Sequence, residues 1–465
     1  MQRQAVGDVI DGFTLTAPLK AGGMATLWLA AHPEHHGPLV LKIPFLDPGG
    51  DVSAILGYEA EELIHRRLSG PHVPRFIAAG DLATTPYLAM GYVRGDSLGS
   101  RVRAAPLPAA EVARIGLAIA TALADLHRQG VVHLDLKPEN VILDGDTAVL
   151  LDFGLARHAL LPDLLGEESA LPMGTAAYMA PEQVLGERSD PASDIFALGC
   201  ILYQLAGGEE PFGRPRTVPG MKRRLYHAPK PLRLLAPDIP AWLEEIVARC
   251  LEVDRGRRYA DAAKVAFDLR HPEQVTVGKR GPVSRRGLPR RLLDLFQKRD
   301  EREMTGTPTQ ARRQAGPALI LCAVDLDAAQ GDLAAAILAE TGRLVAARAD
   351  SWLACVSVLR TELIGETRSV DAQGRSLYIG RLVALKDWAR PLGLPEERIS
   401  YHVLEAVSAG EAILRYAEHN EIDHIVIGAR ASSALRRHLG SVSSKVVAEA
   451  RCSVSVVRVR SGGEP

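Results

Sequence analysis

The chain has 465 residues, room for about three compact units at roughly 150 residues each. Its 55 Lys and Arg against 56 Asp and Glu leave a net charge of −1, which excludes a global field suited to nucleic acid or an anionic membrane surface. Five scattered cysteines without a C-x-x-C pair, an amino terminus lacking an apolar leader core, and no uncharged apolar run of about 18 residues point to a soluble, reduced, cytoplasmic protein without a transmembrane segment.

From Phe13 to about Arg94, short aliphatic runs alternate with turns, and a helical stretch covers Glu59 to Leu68, which predicts a small sheet with one helix. Within it, Leu19 to Leu27 carries Gly22 and Gly23. Glycines in such a loop let backbone amides approach phosphate oxygens, although a glycine-containing hairpin accounts for the same residues. Lys42 lies in the apolar run Leu39-Val40-Leu41-Lys42-Ile43. A strand lysine is usually a solvated edge charge, but here the ammonium needs partners, and a phosphate with a carboxylate would supply them. From Ala109 to about Leu269 the periodicity becomes helical. The stretch Ala113 to His127 is apolar on most faces, as a buried helix is.

The run His133-Leu134-Asp135-Leu136-Lys137-Pro138-Glu139-Asn140 is followed twelve residues later by Asp152-Phe153-Gly154. Phosphoryl transfer from ATP needs a carboxylate to position a hydroxyl nucleophile and oxygen ligands for the magnesium bridging the phosphates, and these segments offer both. They resemble the catalytic loop and metal-binding loop of protein kinases, and Lys137, two places after the aspartate, points to the serine/threonine branch. The resemblance runs from about Phe13 to Leu269 and implies an α+β bilobal kinase fold over residues 12–270, with a small lobe at 12–94 and a large lobe at 95–270.

Residue by residue, the resemblance implies that Gly22 and Gly23 belong to the phosphate loop, though Lys20 and Ala25 stand where two of the family's glycines would be. It gives Lys42 the α- and β-phosphates, with Glu61 as its partner and Glu59 and Glu62 as surface charges. Met90 and Val93 fall in the hinge that binds adenine, where Gly91 replaces a usual glutamate; an ordinary connecting strand would also explain Met90. Asp135 orients the substrate hydroxyl and accepts its proton, and Lys137 neutralises the transferred phosphoryl group. Asn140 and Asp152 hold Mg2+, with Mn2+ as an alternative, because hard cations take oxygen ligands. Thr175 contacts the catalytic pair, Asp194 holds the loop backbone, His133 packs near the metal loop, and Glu182 pairs with Arg258. Leu134 departs from the pattern, replacing an arginine that receives a phosphate from the activation segment in many relatives. Leucine cannot bind phosphate, so activity is expected not to depend on that modification.

Between His271 and Gly316, eleven Lys or Arg against five Asp or Glu, broken by Gly and Pro, read as a basic flexible linker over 271–316. Arg285 to Phe296 could instead lie on a membrane as a short amphipathic helix. Thr305, Thr307 and Thr309 are plausible autophosphorylation targets of a tethered active site. Beyond Ala318, strand-like runs at Leu319–Val324, Ile425–Gly428 and Val454–Val459 alternate with helical patterns, which predicts an α/β layer domain over 317–460.

This second region resembles the universal stress protein family through Ala323-Val324-Asp325, Val407 to Ile413, Ile422 to Gly428 and Gly440-Ser441-Val442-Ser443, which implies a mostly parallel five-stranded sheet. Gly440 and Ser441 at a helix amino terminus could cradle a phosphate. Nucleotide-binding relatives carry Gly, two residues, Gly, nine residues, Gly-Ser; here Gly428 is followed by Ala431, and eight residues precede Gly440. If a nucleotide binds, Asp325 would contact its base or ribose, although a turn-capping carboxylate fits equally well. Arg430, Arg436 and Arg437 add positive charge near the proposed phosphates, as ordinary surface arginines also would. The final strand is one through which the family dimerises, so a homodimer is expected. The combined expectation is an ATP-dependent serine/threonine kinase acting on protein substrates in bacterial stress or metabolic signalling, with a regulatory carboxy-terminal domain. The rival is a nucleotide-binding scaffold with little catalysis, favoured by Lys20, Ala25 and Leu134 and opposed by the joint presence of Lys42, Asp135, Lys137, Asn140 and Asp152.

Overall fold

The computed structural model describes residues 4–22, 25–45, 52–82, 84–161, 163, 165–166, 172–278, 318–326, 331–348, 350–361, 370–371, 376–395, 398–429 and 440–459. Their contacts divide into two compact units, one amino-terminal and one carboxy-terminal.

The first unit begins with β1 (Val9–Ile10), β2 (Phe13–Ala21), β3 (Ala25–His32), β4 (His35–Pro44), helix α1 (Val52–His65), β5 (Phe76–Ala79) and β6 (Leu88–Gly91). The strands form one antiparallel sheet in the order β1-β2-β3-β4-β6-β5. In β4 the period of two puts Leu39, Leu41 and Ile43 into the core with Phe13, Leu15, Trp28 and Tyr87. Lys42 therefore points to the opposite face, away from that core. The helix runs Val52–His65 rather than Glu59–Leu68. Gly57, a poor helix former, interrupts the apolar pattern Ile55, Leu56, Tyr58, Ala60 and Ile64 and hides the first two turns, and a turn at Arg66-Arg67 ends the helix early.

The rest of this unit is mainly helical. The helix Ala109–Arg128 buries a wide stripe that includes Val112, Ile115, Ile119, Leu123 and Leu126, and packs on Ala192–Gly207, which is buried on nearly every side. Helices Ala241–Cys250 and Ala262–Arg270 complete this layer. Between the helices, Val141–Asp144 and Thr147–Leu150 make a hairpin with a two-residue turn. Its ends lead from Asn140 and into Asp152, so the hairpin brings those two together. After Arg270 the chain is described to Gly278, with a short 3-10 turn at Pro272–Gln274. The proposed amphipathic stretch and the linker threonines lie outside the described residues.

The second unit is an α/β layer. Its sheet has the order Ile399–Ala406, Trp352–Arg360, Leu319–Ala323, His424–Gly428, Ser453–Val457. Every pairing among these described strands is parallel. Alternate residues of the central strand feed two cores: Ile320 and Cys322 face one layer, Leu321 and Ala323 the other. Burial on both faces explains why these strands read as continuous apolar runs. Among the described residues no helix is long and apolar enough to cross a membrane.

Candidate active site

The site is assembled from the anchors outward. Asp194, 1% exposed near the start of its helix, accepts the backbone N–H of His133 at 2.8 Å and of Leu134 at 2.9 Å. Its carboxylate also lies 2.9 Å from the His127 ring. Burial works against the charge, but His127 and the His133 ring and amide outweigh it and hold the carboxyl below its usual range. These bonds fix Leu134 at φ 63°, a left-handed conformation costing a non-glycine residue about 1–2 kcal/mol. Gln183 Nε2 donates to the Leu134 carbonyl at 2.8 Å. The Leu134 side chain itself is buried.

Asp135 is oriented from all sides. Its Oδ1 accepts the Thr175 N–H at 2.9 Å and hydroxyl at 2.7 Å. Its Oδ2 accepts Lys137 Nζ at 2.6 Å and Asn140 Nδ2 at 3.3 Å. Lys137 also donates to Thr175 Oγ1 at 3.1 Å. Gly174, at φ 130°, lets the chain reach this position; a Cβ there would lie 3.2 Å from the Leu134 carbonyl oxygen.

The Leu151 N–H donates to the Asn140 carbonyl at 2.9 Å, and the next residue, Asp152, takes φ 64°. That turn presents its Oδ1 to Lys42 Nζ at 2.9 Å, while Lys42 also donates to Glu61 Oε2 at 2.6 Å and Oε1 at 2.8 Å. Burial opposes the ammonium, yet the two carboxylates prevail and hold Lys42 above the ordinary lysine range, so the group stays charged. Burial likewise raises Asp152, but the Lys42 charge and hydrogen bond bring it down to about 2. Phe153, buried beside them, has its ring 5.5 Å from that of His133 and 5.7 Å from that of His65. His133 Nε2 in turn bonds the Leu151 carbonyl at 3.0 Å. Farther out, Glu182 and Arg258 form a bidentate pair at 2.7 and 2.8 Å, both buried.

In the second unit, Asp325 follows the central strand and Gly428 ends its neighbour, so both lie at the carboxyl edge where the strand order reverses, the usual ligand crevice of such sheets. Asp325 Oδ1 is 3.8 Å from Arg381, which also reaches Ser357 Oγ at 3.4 Å. Gly428 has a packing reason of its own. A Cβ there would meet the side-chain ends of Ile337 at 2.8 Å and Leu333 at 3.0 Å, so glycine lets helix Gly331–Ala347 pack closely at that point. Gly440 and Ser441 open the helix Ser441–Glu449. Arg430, Arg436 and Arg437 lie outside the described residues.

The profile of the family described as "Protein kinase domain" matches residues 22–268. The chain belongs to the protein kinase domain family. The profile of the universal stress protein family matches residues 319–458. Among similar proteins, serine/threonine-protein kinase pkn2 of Myxococcus xanthus is 30% identical over 270 residues, covering 56% of this chain and 32% of that protein. Serine/threonine-protein kinase PknJ of Mycobacterium tuberculosis is 31% identical over 269 residues, covering 56% and 45%. Probable serine/threonine-protein kinase PkwA of Thermomonospora curvata is 33% identical over 258 residues, covering 55% and 34%. The chain thus spans less than half the length of these curated relatives. The crystal structure of the Mycobacterium tuberculosis PknI kinase domain is 26% identical and covers 58% of this chain and 99% of its own, with a TM-score of 0.46.

Within the kinase domain, direct contacts join Lys42 with Glu61 and Asp152, and Asp135 with Lys137 and Asn140, and a backbone bond from Leu151 to Asn140 ties the two groups' segments together. Gly22 closes a tight hairpin, donating to the Ala25 carbonyl at 2.9 Å; Gly23 lies outside the described residues. Met90 is half-buried in β6 opposite Val40 and Phe76, and Val93 is half-buried just beyond. Glu59 is not a surface charge: α1 turns it inward and leaves it 5% exposed, because residue 59 falls one turn beyond Ile55 and Leu56, on their buried face. Glu62 pairs with Arg66 at 2.9 Å. Sequence reasoning missed Arg224, which is buried and donates to the carbonyls of Ala176, Met179 and Met221, the first two beside Thr175. It also missed the Gln183 bond to Leu134. Neither carries a local spacing signal.

Proposed function

We propose that the chain is an ATP-dependent protein kinase that phosphorylates serine and threonine hydroxyls of protein substrates. The observation that carries this reading is the arrangement around Asp135. Its carboxylate is held by Lys137, Asn140 and Thr175, so it is fixed where it can accept a proton from an incoming hydroxyl. Thr175 Oγ1, 2.7 Å from Asp135 and 3.1 Å from Lys137, shows that a hydroxyl can engage both groups at once. Lys137 is then placed to meet the charge on the transferred group. Lys42, kept cationic by Glu61, is placed for phosphate oxygens.

The donor set suits a divalent metal. Among the described residues no protein donor takes the Asn140 amide oxygen or the second Asp152 oxygen, and no cluster of three or more His, Cys, Asp or Glu forms a closed cage. Two hard oxygen donors in an open setting fit Mg2+, which keeps phosphate and water in its shell; bound there it would neutralise phosphate charge. The universal stress protein domain is read as regulatory, through nucleotide sensing at the crevice between Asp325 and Gly428 or through self-association along Ser453–Val457, and the chain is read as cytoplasmic and autophosphorylating. Phosphoamino-acid analysis of protein substrates labelled by the full chain tests the main claim. Phosphoserine and phosphothreonine are expected. Label confined to tyrosine, or no label at all, contradicts it.

A further inference from the structure

One buried ion pair of the kinase domain has no part in the chemistry above. Asp163 and Arg188 are 4% and 8% exposed. Arg188 Nε lies 2.9 Å from Asp163 Oδ2 and 3.2 Å from Oδ1, and its Nη2 donates to the Leu155 carbonyl at 2.9 Å. Asp163 Oδ1 further accepts the Gly166 N–H at 3.1 Å. One guanidinium therefore ties together the residue that follows the metal loop, the segment beyond it, and the stretch between Glu182 and Asp194.

Desolvating two charges seldom stabilises a fold more than apolar packing would, so a buried pair is better explained by the geometry it enforces. That geometry involves α1. Leu161 and Leu165, on either side of Asp163, are buried and line a small cleft with Ala60, Leu63 and Ile64. Those three residues flank Glu61 on the helix that delivers it to Lys42. Leu134 meanwhile offers no cation to a phosphate on this part of the chain.

We propose that Arg188 and Asp163 are positioning residues. They form an internal latch that seats Leu161 and Leu165 against α1, keeps Glu61 on Lys42, and makes the kinase competent without a phosphate on the activation segment. The latch rests on the kinase reading. Its carboxylate and guanidinium are built into the chain, so it is permanent where a phosphate would be conditional.

The test uses the full chain after phosphatase treatment, with initial rates of label transfer from ATP to a protein substrate. The treated wild type is expected to stay active. Arg188→Gln and Asp163→Asn are each expected to lower kcat about tenfold or more, and the double variant to be little worse than either single one, because both remove the same interaction. Arg188→Lys, which keeps the charge beside Asp163 but loses the bond to Leu155, is expected to fall between, and serves if Arg188→Gln does not fold. A purely structural role would leave one readout unmoved. In a Glu61→Gln background the Arg188→Gln cost should shrink to less than about twofold, since the latch acts through Glu61. Transfer present in the wild type, lost in Asp135→Asn and unchanged in Arg188→Gln overturns the latch alone. An undiminished Arg188→Gln cost in the Glu61→Gln background also overturns it. Transfer absent from the untreated wild type overturns the kinase reading and the latch with it, whereas transfer lost only after phosphatase treatment overturns the latch alone.

Discussion

Replacing Asp194 by Asn probes how the catalytic loop is held. The wild-type carboxylate takes two backbone N–H bonds at 2.8 and 2.9 Å and faces the His127 ring at 2.9 Å. An amide of the same size keeps one oxygen and turns an NH2 toward a donor. One charge-assisted bond is lost, at about 1.5–3 kcal/mol, and a buried N–H is left without an acceptor. Leu134 then keeps its left-handed strain of about 1–2 kcal/mol with half of its restraint gone. Relaxation of the loop recovers part of this, so a net cost of about 2–4 kcal/mol is expected. Expressed through the population of competent loop, that is a fall in kcat of about 30-fold or more, with the KM for ATP little changed because Lys42 and Glu61 are untouched. Initial rates against ATP concentration, with a melting curve of the same preparation, measure both. A kcat within about twofold of wild type, with an unchanged melt, would refute the idea that Asp194 fixes Asp135 through the loop backbone.

Acid should weaken the kinase domain through its buried histidines. Burial pushes His158 down to about 4 and lowers His65 as well, against an unfolded value of about 6.5. The unfolded chain therefore binds more protons between those pH values, and the stability these residues contribute is present above about pH 6.5 and lost as the pH falls toward 4. For His158 this is about 3 kcal/mol, and melts of wild type and His158→Gln at about pH 7.5 and about pH 5 should show the variant losing less; equal losses would contradict the assignment. In the universal stress protein domain, Gly428→Val should destabilise by about 1–3 kcal/mol through collision with Ile337 and Leu333, seen as a lower unfolding midpoint with or without added ATP. A variant that melts normally yet loses nucleotide binding would instead assign the glycine to a ligand.

What was legible in the sequence follows the range of the interactions involved. Asp135, Lys137, Asn140 and Asp152 sit within eighteen positions, because a loop and one hairpin suffice to bring them together, so their spacing carried the chemistry directly. Lys42 was readable from its apolar flanks, since a charge in such a strand needs partners. The parallel sheet of the second unit was readable from strands apolar on both faces. The extent of α1 was not, because Gly57 breaks the periodicity that would have revealed its first turns. Nor was the inward face of Glu59, which depends on how the helix docks rather than on its composition. Arg188 with Asp163, and Arg224 with the carbonyls near Thr175, are contacts between residues 25 to 48 positions apart. Buried arginines of that kind leave no periodic or spacing trace, and only the folded chain shows what they hold.

The central claim is that Asp135 serves the transfer of a phosphoryl group from ATP to a hydroxyl. Single-turnover label transfer with wild type and Asp135→Asn, each checked for ATP binding, tests it most directly. Transfer in the wild type and its loss in a variant that still binds ATP is the predicted result. Transfer at the wild-type rate by Asp135→Asn, or ATP binding without transfer by the wild type, would contradict it.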